Sequence, residues 1–195
     1  MNRNWLRGPG VVTLVLFAIG ISAPNALAED HAPYVLDGTE GERIEFPPHE
    51  TRSLARAKTN QAGLSLFEIV IPARSAGAPP HTHRHEDEFF YVRTGSVTFL
   101  TNGARKTVAS GGFALLPRDS LHALWNASDE EAILLVGTSE GKFDDYFDAV
   151  AIEVRQRAAS TPQAIGEIMD RLGQERGIEI RMDALPADVA GLYGM

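Results

Sequence analysis

Between Gly63 and Val136 turn signals recur at intervals of about 8–12 residues, and this spacing constrains the fold more than any other feature of the chain. Helices do not develop in such short intervals, and the segments between the turns favour strands. GLSLFEIVI (63–71) alternates apolar with polar residues, FFYV (89–92) stops at Gly95, and SVTFL (96–100) alternates again. Asn102-Gly103 is a strong two-residue hairpin signal. Strand character resumes over Lys106–Ala109, turns at Gly111-Gly112 and continues through Phe113–Leu116 to Pro117. Leu121–Asn126 and Ala132–Val136 are two further expected strands. Pro47-Pro48 and residues 73–80 read as loops. Many short, evenly spaced strands predict an all-β sandwich or barrel.

Past Gly141 the apolar period lengthens to about 3.6 residues. Phe143, Tyr146, Phe147, Val150, Ala151 and Val154 share one helical face. A second helix is expected from Ser160 or Thr161, with Pro162 in its first turn and Gln163 placed for a capping box with Ser160. Its stripe is Ile165, Ile168, Met169 and Leu172, and Gly173 or Gly177 ends it. Both helices are expected to pack on the outside of the β-domain. The residues from Asp183 onward show no pattern.

The first 28 residues read as a targeting segment. Arg3 and Arg7 are the only charges before Glu29, VVTLVLFAIGI (11–21) is apolar, and Ala26-Leu27-Ala28 supplies small residues for cleavage. That apolar run is about half the roughly 20 residues a membrane span needs. Residues 1–28 are therefore expected to be a cleaved signal peptide, giving an exported chain, periplasmic or secreted, with no membrane attachment afterwards. A formal net charge of -8 lacks the basic footprint that phosphate backbones require, so nucleic acid is excluded as a partner. With no cysteine, chemistry rests on histidines, carboxylates, hydroxyls, lysines or a metal bound through nitrogen and oxygen.

Three of the six histidines lie in HTHRHEDE (81–88). Alternate strand residues face the same way, so His81 and His83 can aim at one point. His85 shares their parity and Glu88 does not, so Glu88 joins them only if the chain bends between His83 and Glu88. PRDSLHALWN (117–126) reads as a tight turn at Pro117 and Asp119 that returns a strand bearing His122 and Asn126. Spacing alone does not bring His122 to the other histidines, and a lone His-x-His reads better as a solvated loop than as a metal site. Three neutral imidazoles and one carboxylate, if convergent, would bind a first-row divalent metal with positions left for water or substrate.

These residues resemble the two motifs of the cupins, small antiparallel barrels of the double-stranded β-helix type. His81, His83, Glu88 and Gly95 match the first motif, with Ser75 in place of its leading glycine. Gly111, Pro117, His122 and Asn126 match the second, with Asp119 in place of an inner glycine. The resemblance implies a cupin (jelly-roll) barrel over residues 29–142 and C-terminal α-helices in an extension over 143–195. It implies one divalent metal (Fe, Mn, Ni, Co, Cu or Zn) held by His81, His83, Glu88 and His122. A register using His83 and His85 fits the motif worse, so His85 is read as a loop residue. His31 and His49 are read as surface histidines.

From about Ala62 through Ile178 the chain is similar to single-barrel cupins related to quercetin dioxygenases, including FDDYF (143–147) and a closing helix near GIEI (177–180). That likeness implies a dioxygenase of quercetin- or flavonol-like enediol or phenolic substrates, with Glu88 as the catalytic base. A non-oxidative metal-cupin isomerase or lyase, or an extracytoplasmic binding protein, is the alternative. The expected partner is a small-molecule substrate, and a homodimer is the oligomer left open. Phe89, Phe90, Phe99, Phe113, Leu115, Leu124 and Trp125 supply apolar wall, about half of them inward by strand parity.

Overall fold

The computed structural model describes residues 32–140 and 143–195. The expected signal segment (1–28) and His31 lie outside the described residues. Among the described residues twelve strands run in chain order: β1 (Glu42–Ile44), β2 (Glu50–Ala55), β3 (Ser65–Ile71), β4 (Ser75–Ala76), β5 (His81–His83) and β6 (Glu88–Thr94), then β7 (Ser96–Thr101), β8 (Ala104–Ala109), β9 (Phe113–Leu116), β10 (His122–Asn126), β11 (Ala132–Thr138) and β12 (Ile178–Ile180). Helices α1 (Phe143–Arg157) and α2 (Pro162–Gln174) lie between β11 and β12.

The strands form two antiparallel six-stranded sheets. One is ordered β1-β2-β3-β11-β6-β9; the other is ordered β12-β5-β10-β7-β8, with β4 also on β10. This is the expected cupin jelly roll, all-β with C-terminal helices. Its shape follows from the turn chemistry. Asn102 (φ 48°) and Gly103 (φ 79°) both adopt the left-handed conformation that a tight hairpin between β7 and β8 requires. Asp119 does the same (φ 63°) at the turn before β10, where a short polar side chain tolerates that region.

Ile71, Phe90, Val92, Val97, Phe99, Leu116, Leu124, Leu134 and Val136 fill the space between the sheets. Of the seven candidate wall residues, Phe90, Phe99 and Leu124 are buried there. Phe113 and Leu115 are 60% and 58% exposed on the outer face, and Phe89 is half-buried. Trp125 is buried on the opposite side of its sheet, beneath Leu185 and beneath Val189 and Leu192 of the C-terminal 3-10 segment (Ala187–Tyr193).

Two expectations need correction. GIEI is a strand: Gly177 (φ 78°) turns the chain, and β12 pairs with β5 in the register Ile178↔His83 and Ile180↔His81. The free edge of the histidine strand outweighs the helical periodicity before it. Second, the cap of α2 is Thr161, whose hydroxyl accepts from Ala164 N at 3.2 Å, while Gln163 donates to Glu167 rather than closing a box with Ser160. Gly173 stays inside the helix because Ile178 packs on it. Both helices pack against the β-domain: Phe143, Tyr146 and Phe147 enter one core cluster with Phe46, Phe67 and Ile178 at one end of the barrel.

Candidate metal centre

His81 and His83 project to one side of β5, as their parity predicts, and both are buried. β10 pairs beside them with His122 opposite His81. Glu88 opens β6 in the other sheet, between Leu116 and Thr138. The bend at 84–87 makes this possible. Arg84 N donates to Gly177 O (2.9 Å), Asp119 N donates to His83 O (2.7 Å), and Arg118 N donates to Asp87 Oδ1 (3.0 Å). The bend is thus tied to the turns on both sides, and Glu88 points into the barrel from the opposite sheet.

His81, His83, Glu88 and His122 each offer one donor atom, and these atoms lie within 4.8 Å of one another. His81 Nε2 is 3.0 Å from His83 Nε2, and His122 Nε2 is 2.8 Å from Glu88 Oε2. Glu88 Oε2 is 3.4 Å from His83 Nε2 and 3.8 Å from His81 Nε2. Metal–nitrogen bonds of about 2.1 Å at right angles put neighbouring donors about 3.0 Å apart, so these separations fit a shared cation. The tautomers fit as well. His81 Nδ1 donates to Pro79 O (2.7 Å) and His122 Nδ1 donates to Ser120 O (2.8 Å), which leaves both Nε2 lone pairs facing inward. The residues therefore form a candidate site for a divalent metal.

Two neighbours escaped the sequence reading. Glu86 is buried, with Oε2 3.5 Å from His83 Nδ1, the place of a carboxylate that orients a metal-bound imidazole. Its only sequence signal is its position three residues after His83. His49, expected at the surface, is half-buried instead and lines the cavity that reaches the metal residues, because β1–β2 folds inward around Phe46. His85 is exposed, lies outside the cluster and borders an outer cleft with Glu175 and Arg176.

Burial, with His122 and His83 alongside, pushes the pKa of His81 well below its ordinary value. Burial also disfavours charge on His83, but the Glu88 and Glu86 carboxylates outweigh it and raise His83 to about 9. Burial would raise Glu88, yet His83 and His122 hold its carboxyl well below the usual range, so it is ionised at neutral pH. Burial lowers His49, offset in part by its contact with Gly77 O.

Beside the cluster lies a cavity of about 90 Å³. Its walls are almost wholly apolar: Ile69, Ile71, Phe90, Leu124, Leu134 and Val136 from the barrel, with Phe143 and Phe147 from α1. Four polar side chains reach it, namely His49, His81, Glu88 and Tyr146. Tyr146 is committed, its hydroxyl donating to Met169 O at 3.2 Å.

The Cupin_2 family model, the cupin domain, matches residues 67–137, so the chain carries a cupin domain. A quercetin 2,3-dioxygenase of Bacillus subtilis (strain 168) is 29% identical over 101 residues, which is 51% of this chain and 29% of that protein. The chain thus spans under a third of the length of this curated relative. Among solved structures, a Cupin 2 conserved barrel domain protein from Salinispora arenicola is 20% identical, with 60% of this chain and 96% of that chain covered and a TM-score of 0.46. A sugar phosphate isomerase of the cupin superfamily from Silicibacter pomeroyi is 19% identical, with 47% and 59% covered and a TM-score of 0.43.

Proposed function

We propose that this chain is a metal-dependent cupin dioxygenase acting on a compact enediol or phenolic compound. The observation that carries the reading is the pairing of a cluster of three histidines and one glutamate with an apolar cavity, into which His81 and Glu88 both reach. When bound, a metal would supply Lewis acidity and a template that orients the substrate. The chain does the rest. His81, His83 and His122 hold the cation, and Phe143 and Phe147 exclude water. The ionised Glu88 accepts the proton of the entering hydroxyl. With three imidazoles in place, the carboxylate is free to serve as base rather than as a needed anchor.

The size of the cavity restricts the substrate. An engineered cavity of about 150 Å³ holds benzene. At about 90 Å³ this one is smaller, so a three-ring flavonol would require α1 to move. The same smallness favours a second reading, a non-oxidative isomerase or lyase working by proton transfer at Glu88. Oxygen uptake by metal-loaded protein, screened against small enediols and phenols, separates the two. Uptake coupled to substrate loss supports the dioxygenase; turnover without uptake supports the alternative. Glu88→Gln keeps the shape and removes the basicity. Its expected outcome is retained metal and a rate loss of about 10²–10⁴-fold. Near wild-type turnover in that variant would remove Glu88 from the role. We also infer export, on the pattern of residues 1–28, and an intact mass beginning at Glu29 is the measurement that checks it.

A further inference from the structure

His49 stands in the loop before β2, and its ring borders the cavity. One nitrogen has a neighbour: Nε2 is 3.4 Å from Gly77 O. The other, Nδ1, is buried and has no hydrogen-bond partner among the described residues. The position of Gly77 is closely fixed. A Cβ there would lie 2.2 Å from Leu124 Cδ1 and 2.6 Å from Leu124 O, and Gly77 N donates to Leu124 O at 3.0 Å. Its carbonyl therefore stays where Nε2–H can donate to it, which leaves the Nδ1 lone pair as an acceptor. A buried acceptor without a partner costs free energy unless something fills it.

Of the other polar side chains at the cavity, His81 and Glu88 belong to the metal cluster and Tyr146 is spent on Met169. We propose that His49 is a second substrate-binding group, whose Nδ1 accepts a hydrogen bond from a substrate hydroxyl distinct from the oxygen held at the metal cluster. The substrate class that follows is a compact, largely apolar molecule with two oxygen functions. One is an anion or carbonyl for the metal, and the other is an uncharged hydroxyl for His49. The apolar walls offer nothing to a second charge. This inference rests on the reading that the cavity is the substrate chamber.

The test uses the full chain loaded with Co(II), whose absorption reports ligand entry. The probes are propionate and 3-hydroxypropionate, which share a metal-binding carboxylate and differ by one hydroxyl. Wild type is expected to bind the hydroxy compound about fivefold to tenfold tighter, the size of one net hydrogen bond. His49→Phe should keep its cobalt, bind propionate as before and lose that preference. His49→Asn, which keeps an acceptor near Nδ1, should recover part of it. A preference that persists in His49→Phe, or an equal weakening of both probes, overturns the proposal. If neither probe perturbs cobalt in wild type, the cavity is not the chamber and the inference falls with it. If the preference is found but no substrate consumes oxygen, only the dioxygenase reading fails.

Discussion

His83 sits between two carboxylates, and its behaviour follows from that. Glu88 faces its Nε2 at 3.4 Å and Glu86 its Nδ1 at 3.5 Å, which raises its pKa to about 9 in metal-free protein. The raised value stabilises the metal-free fold fully below the unfolded pKa of about 6.5, and that contribution is lost as pH rises towards 9. A cation must displace this proton, so apparent metal affinity should increase over the same interval, with proton release visible by calorimetry in buffers of different ionisation heat. A metal affinity flat from pH 6.5 to 9 would contradict the protonated His83. Glu86→Gln removes the outer carboxylate while keeping its shape, and metal affinity should fall about 10–100-fold, measured by competition with a chelator. The four inner residues were legible only through their resemblance to the two cupin motifs, since spacing alone did not join His122 to the others. Glu86 and His49 were not, since neither has a periodic partner: one depends on how the 84–87 bend closes, the other on how β1–β2 folds over the barrel end.

At the scale of the element, α1 is held as an end cap by one aromatic stack. Phe147 lies 4.1 Å from Phe46 and 4.7 Å from Phe67, centroid to centroid, in stacked geometry. Around it Ala57 N donates to Asp144 Oδ2 (3.1 Å), and Arg56 pairs with Asp148 (2.8 Å). Phe147→Ala should cost about 3–5 kcal/mol in denaturant unfolding, the range for a buried aromatic truncated to a cavity. An element of the β-region makes the complementary case. Asn126, at the end of β10, presents Nδ2 to Ile71 O, Pro72 O and Glu130 O, and its Oδ1 accepts from Ser128 N. Asn126→Leu should cost about 2–3 kcal/mol without direct loss of metal, because it leaves buried carbonyls unpaired. Strands bounded by Asn-Gly or Gly-Gly turns were readable from sequence. β1, β2 and β12 were not, because β1 and β12 are three residues each and β2 (ETRSLA) has no apolar alternation of its own, so all three owe their extended form to a neighbour's open edge.

The whole molecule depends on its last fifty residues in two separate ways, and the sequence disclosed only one of them. The apolar stripe of α1 announces a face that must be covered. Nothing in GIEI announces that β12 will pair with β5, yet this strand closes the edge of the sheet that carries His81 and His83. Removing everything after Gly141 would therefore uncover Ile44, Phe46 and Phe67 at the barrel end, and would also leave β5 with an unpaired edge. The expected product is aggregated or unfolded protein that binds no metal, seen by size-exclusion chromatography and metal analysis. A milder change separates the two dependences. Ile178→Ala keeps both helices and the β12 backbone but removes a buried side chain that bridges α2 and the histidine strand. It should lower stability by about 2–4 kcal/mol while the protein remains soluble. Metal affinity should fall with it, since His83 is paired directly opposite. A soluble, metal-binding chain ending at Gly141 would show instead that the barrel is complete without its extension. The cavity would then be an open mouth, and the size limit on the substrate would disappear.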